Sequence, residues 1–136
     1  MGIKLIKISS LYFVVGVVLG MVMGMAGLYQ FMSTHAHINL LGWVSMTLFG
    51  LIYHSFPSIT QNILAKVHFW LHNIGLPIML LGLIAFGLSY NAVGIPLMSI
   101  GGVLIVIATI IFSINLWKNF TSTDKLISGI SMYLQT

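Results

Sequence analysis

The chain has no cysteine, no arginine and one acidic side chain, Asp124, in 136 residues. Lack of cysteine excludes a disulfide framework, thiolate-held zinc, thiolate ligation of haem iron and cysteine-held iron–sulfur clusters. Any bound metal must use His, Met, Asn or oxygen ligands. The sole carboxylate lies outside the long apolar stretches, which leaves no carboxylate relay across a bilayer. Charged residues make up 4% of the chain and hydrophobic ones 59%, with a mean hydropathy of +1.10. Such a composition cannot cover a soluble domain with polar surface, so the sequence describes an integral membrane protein. Five lysines against one acid give a net charge of +4. No basic patch is interleaved with aromatic residues, so the charge reports membrane topology and no nucleic-acid partner is expected.

Four apolar runs, at about 8–28, 34–55, 67–88 and 93–117, each approach the ~20 residues needed to cross a hydrocarbon core. The first follows two lysines, as a signal peptide would, but it is long and has no small-x-small cleavage site, and it is read as a retained helix. Phe56-Pro57-Ser58 with Thr60-Gln61-Asn62, and Ser89-Tyr90-Asn91 with Gly94 and Pro96, supply the breaks. The expectation is an all-α membrane protein: one four-helix transmembrane domain over 1–120, followed by a short tail, 121–136. In that tail Leu126, Ile127, Ile130, Met132 and Tyr133 suit a short interfacial helix.

Lys4 and Lys7 precede the first run, Lys66 separates the second from the third, and Lys118 and Lys125 follow the fourth. With four crossings all five fall on one side, which the positive-inside rule makes the cytoplasm. The expected location is a bacterial or archaeal cytoplasmic membrane, multi-pass, with both termini inside. His35 and His37 then lie toward the outer face, and His54, His68 and His72 toward the cytoplasmic face. His37 and His54 are 17 residues apart, roughly 25 Å along a helix, too far to share a metal within one chain.

Gly16, Gly20 and Gly24 recur at four-residue steps, a row that admits a close helix neighbour. Helix packing is the main reading of these glycines. Four short spans make a thin protein that is expected to form a homo-oligomer. Met21, Met23, Met25 and Met32 are read as lipid and core packing, since alternating helix positions face different ways. Pro77 is expected to kink the third span.

His35-Ala36-His37 is the most informative local feature. Imidazoles at the end of a membrane helix are costly unless each has a proton partner or a metal. At i, i+2 on an α-helix the two rings point roughly 200° apart, toward opposite flanks. Histidine is the usual protein ligand of b-type haem iron, and Leu40, Leu41, Trp43 and Val44 can line an apolar slot for the macrocycle. Asn39, close to the histidine turn, suits either an interhelical hydrogen bond or a bond to an axial imidazole or a propionate. His68 and His72, at i, i+4 with His54 toward the same side, form a weaker second candidate metal site with no accompanying carboxylate.

Thr34-His35-Ala36-His37-Ile38-Asn39-Leu40-Leu41-Gly42-Trp43, continuing through Gly50-Leu51-Ile52-Tyr53-His54-Ser55-Phe56-Pro57, resembles the tenth helix of the catalytic subunit of haem–copper oxidases and their nitric oxide reductase relatives. Ala65-Lys66-Val67-His68-Phe69-Trp70-Leu71, with Asn73-Ile74-Gly75, is similar to the start of the family's eleventh helix. The resemblance implies that His35 matches the high-spin haem ligand and His37 the low-spin haem ligand. It implies haem b, or a modified haem, and a respiratory-chain redox partner. The family's copper ligands lie on helices with no counterpart here, so no copper is expected. Complete oxygen or nitric oxide reduction by this chain alone is not expected either.

The family's twelve-helix subunit resembles three four-helix arcs around a pseudo-threefold axis, and this chain is similar to the arc of helices nine to twelve. A homotrimer in the membrane would rebuild the ring, with His35 and His37 of neighbouring copies meeting at each interface. The expected function is a membrane b-type haem protein for electron transfer or diatomic gas binding. The alternative is a haem-free accessory or assembly subunit of a respiratory complex.

Overall fold

A computed structural model describes residues 1–120. The suggested interfacial helix in 121–136 lies outside the described residues. Among the described residues the fold is all helical. Four segments are long and apolar enough to cross a membrane: Gly2–Ala26, Tyr29–Ser55, Ile63–Gly87 and Asn91–Asn119.

Helix α1 (Gly2–Ala26) starts at Gly2 rather than near Ile8, because Lys4 and Lys7 are adequate helix formers and the backbone need not stop where the apolar run does. It ends at Gly27, whose φ of 66° places its N–H on the Met23 carbonyl. A residue without Cβ takes this left-handed cap at no steric cost. A 3₁₀ turn (Tyr29–Phe31) leads into the second span, which has three parts. These are α2 (Met32–His37), a π-helical stretch (Ile38–Ser45) and α3 (Met46–Ser55). Phe56 is extended, as a residue before proline tends to be, and α4 (Pro57–Thr60) follows. Asn62 caps α5 (Ile63–Gly87) by accepting the Ala65 N–H at 3.0 Å. Pro77 lies inside α5, which continues past it as one helix. Helix α6 (Asn91–Asn119) completes the bundle.

Two helix pairs make the core. Helices α5 and α6 run antiparallel in close contact along a glycine seam. A Cβ at Gly75 would lie 2.8 Å from Leu104 Cβ, one at Gly94 would lie 2.9 Å from the Gly82 carbonyl, and one at Gly101 would lie 2.6 Å from Met79 Cβ. In the other pair α1 runs antiparallel to the second span. A Cβ at Gly2 would meet the Gly50 carbonyl at 2.5 Å, and Ser9 Oγ and Thr47 Oγ1 are hydrogen bonded at 2.7 Å. Phe31 packs against Gly87 at the far end, so the second and third spans are antiparallel too. Lys4, Lys7, Lys66 and Lys118 therefore collect at one end of the bundle, while His35 and His37 belong to the other half.

At the lysine end, Asn115 is fully buried and ties three elements together. Its amide donates to the Ile59 carbonyl at 2.7 Å, and its side-chain oxygen accepts from Asn62 and Asn119, each at 2.8 Å. This satisfies polar groups where α4, α5 and α6 converge away from water.

Candidate functional site

His35 and His37 are the last-turn histidines of α2, immediately before the backbone widens into the π-helical stretch. Such segments, with i→i+5 bonding, occur frequently at functional sites. No apolar periodicity marks this one, because Ile38-Asn39-Leu40-Leu41-Gly42-Trp43-Val44-Ser45 fits an α-helix equally well. The wider turn lies against α1: a Cβ at Gly42 would be 2.6 Å from Tyr12 Cγ, and the Trp43 ring stacks on Phe13 with centroids 4.0 Å apart. Within one copy Trp43 is thus a packing partner of α1. Leu40 and Val44, by contrast, are exposed.

The two histidines have different surroundings. The His37 ring is half-buried, and its Nδ1–H donates to the Ser33 carbonyl at 2.7 Å. A carbonyl can only accept, so Nδ1 carries the proton and Nε2 of the neutral ring carries the lone pair. Metal-binding histidines almost always have this arrangement, with the distal nitrogen anchored to a carbonyl or carboxylate.

His35 packs against α1, where a Cβ at Gly20 would stand 2.7 Å from its Cε1. Asn39 Nδ2 donates to the His35 backbone carbonyl at 2.9 Å and lies 3.3 Å from His35 Nδ1. The carbonyl fixes which end of the amide faces His35, so the ring Nδ1 is the acceptor and Nε2 carries the proton. Asn39 is itself seated on α1, since a Cβ at Gly16 would be 2.6 Å from its Oδ1. The Gly16, Gly20, Gly24 row therefore divides: the first two make room for Asn39 and His35, while nothing lies within 4 Å of a Cβ at Gly24.

The second cluster is deep between the two helix pairs. His68 and His72 are 0% and 1% exposed, with ring centroids 5.8 Å apart. Tyr53 Oη and His68 Nδ1 are hydrogen bonded at 2.9 Å, and His72 Nε2–H donates to the Leu41 carbonyl in the π-helical stretch at 3.1 Å. Phe49 sets its ring at 87° and 80° to the two imidazoles, and Phe112 closes the other side of His68. His68 Nε2 and His72 Nδ1 have no protein hydrogen-bond partner.

His54 does not join this pair. It is exposed and lines a cleft with Met1, Gly2, Lys4 and Pro57. Consecutive helix residues diverge by about 100°, and it is Tyr53 that turns inward. Among the described residues no group of three or more His, Cys, Asp or Glu side chains can hold a metal. The weaker candidate, a metal site made by His54, His68 and His72 together, is accordingly not assembled among the described residues.

Tyr53 and Ser33 are not among the site residues suggested by the sequence, and Leu41 is suggested there only as an apolar lining residue. Two of them act through backbone carbonyls, which no side-chain pattern marks. Tyr53 pairs across two helices, which only the packing reveals. Glycines 16 and 20 were visible, though as a packing row.

Residues 29–93 match the family model for cytochrome c and quinol oxidase polypeptide I. All five histidines fall inside that match. No curated protein and no solved structure matches the chain. The stretch from the 3₁₀ turn through the start of α6 is a region like subunit I of the haem–copper oxidases, carried on an integral membrane protein.

Proposed function

We propose that the protein is a membrane b-type haem protein, similar to the arc of helices nine to twelve of haem–copper oxidase subunit I without its copper site, and that it serves electron transfer or diatomic gas binding. The observation that carries this reading is the Ser33–His37 hydrogen bond, which anchors Nδ1 and leaves Nε2 as the donor a haem iron requires. The residues fit the group: a half-buried imidazole of ligating tautomer beside exposed apolar Leu40 and Val44. His37, with His35 as the second candidate, would hold the iron. When bound, such a haem supplies a one-electron iron couple and a coordination position for a small gas.

Three copies arranged as a ring would bring these surfaces together, with the haem in the outer half of a bacterial or archaeal cytoplasmic membrane. At most 33% of the apolar window of any span is buried within one copy, which leaves ample surface for lipid and for neighbours. A respiratory redox partner would then deliver or accept electrons. The second reading, a haem-free accessory subunit, is favoured by His35: it is packed on Gly20 and bonded to Asn39 as an ordinary core histidine would be. Purification in mild detergent followed by a pyridine hemochromogen assay and a mass measurement tests both. About one haem per chain in a trimer supports the first reading; a haem-free protein supports the second.

A further inference from the structure

The resemblance gives both histidines to haem iron, His35 at the high-spin and His37 at the low-spin position, but their hydrogen bonds do not suit both to that role. We infer, on the reading that this protein binds haem, that His37 alone ligates the iron and that Asn39 is a positioning residue keeping His35 out of the coordination sphere. The iron is then five-coordinate, with its remaining position open to a small neutral ligand such as carbon monoxide.

An imidazole ligates through a nitrogen lone pair, and a neutral ring has one. At His37 that lone pair is on Nε2, because Nδ1–H is committed to the Ser33 carbonyl 2.7 Å away. At His35 it is on Nδ1, where the Asn39 amide already occupies it, and Nε2 carries a proton. The Asn39 amide cannot simply turn over: its nitrogen also serves the His35 carbonyl at 2.9 Å, and reversing the group would set oxygen against oxygen. Helix α1 holds both partners in place, with Gly16 against Asn39 and Gly20 against the His35 ring. For His35 to ligate through Nε2, its proton would have to move to Nδ1 and the Asn39 bond would be lost. His37 needs no such change.

The full chain, purified with haem or reconstituted with hemin, tests this by haem content and by spectra of the reduced protein with and without carbon monoxide. The expected wild-type ferrous spectrum is high-spin and shifts on adding carbon monoxide. His37→Ala is expected to lower the haem-to-chain ratio by more than roughly tenfold, and His35→Ala to leave it within about twofold. Added imidazole should restore haem to His37→Ala, which separates a missing ligand from a failure to fold. Asn39→Ala removes the donor from Nδ1 without setting an oxygen against the His35 carbonyl, so the ring can carry its proton on Nδ1 and present Nε2; this variant is expected to gain low-spin, six-coordinate character. A wild-type ferrous spectrum that is low-spin and unmoved by carbon monoxide overturns the inference, as does equal loss of haem from the two alanine variants. A wild type that takes up no haem overturns the underlying haem reading and this inference with it.

Discussion

The Tyr53 hydroxyl lies 2.9 Å from Nδ1 of His68, joining the second span to the third inside the bundle. Both side chains are buried, and His72 reinforces the junction by donating to the Leu41 carbonyl twelve residues before Tyr53. Polar groups at this depth have no water to fall back on, so each bond matters more for what its loss leaves unpaired than for its own strength.

Tyr53→Phe should therefore destabilise the fold by about 1–3 kcal/mol, since it leaves His68 with neither ring nitrogen paired to protein. The double variant Tyr53→Phe/His68→Phe should lose less than the sum of the two single variants, because the second change removes the stranded imidazole. Unfolding by denaturing detergent, followed by circular dichroism, measures both. Additive losses would show that the bond contributes nothing.

The α1 glycines should separate by position. Gly24→Ala has open space around it and should be neutral or stabilising by up to about 1 kcal/mol, the usual cost of glycine inside a helix. Gly16→Ala and Gly20→Ala press on Asn39 and His35 and should each cost about 1–3 kcal/mol. Thermal unfolding in detergent distinguishes them; equal behaviour of all three would mean that α1 does not seat these side chains.

On the α5–α6 seam, Gly101→Val should cost at least about 3 kcal/mol, because its side chain meets the Met79 backbone, which cannot yield as a side-chain tip can. Gly102→Ala next to it should be tolerated, since the nearest atom to its Cβ is Met79 Sδ at 4.0 Å. Expression level and unfolding midpoint of the pair provide the comparison.

Asn115→Leu removes three hydrogen bonds at a fully buried position and should destabilise by about 2 kcal/mol, since the Ile59 carbonyl and the Asn62 amide keep only their bond to each other at 3.2 Å and the Asn119 amide loses its acceptor. Protection of the Asn62 and Ala65 amides in hydrogen exchange should fall first, as this is where α5 begins. Unchanged exchange there would show that the cap of α5 stands without Asn115.

Much of this was legible in the residues themselves. Hydropathy and length marked four membrane-crossing segments, since about 30 Å of hydrocarbon admits few alternatives to long apolar helices. The His-x-His motif and the Lys66-Val67-His68 segment pointed to the same family as the match over 29–93. The π-helical stretch could not be read, because its hydrogen-bond shift leaves no mark in a run that is apolar almost throughout. Nor could the exclusion of His54 from the His68–His72 pair, which depends on which face of α3 meets α5.

The sequence by itself determined the membrane class, the four spans and the candidate imidazoles, because hydrophobic transfer and ligand chemistry are properties of residue types. Only the tertiary structure decided what each imidazole does. The state of a ring is set by the group that meets its other nitrogen: the Ser33 carbonyl for His37, the Asn39 amide for His35, Tyr53 for His68 and Leu41 for His72. Those neighbours are fixed by helix rotation and close approach, which the order of residues along the chain does not express.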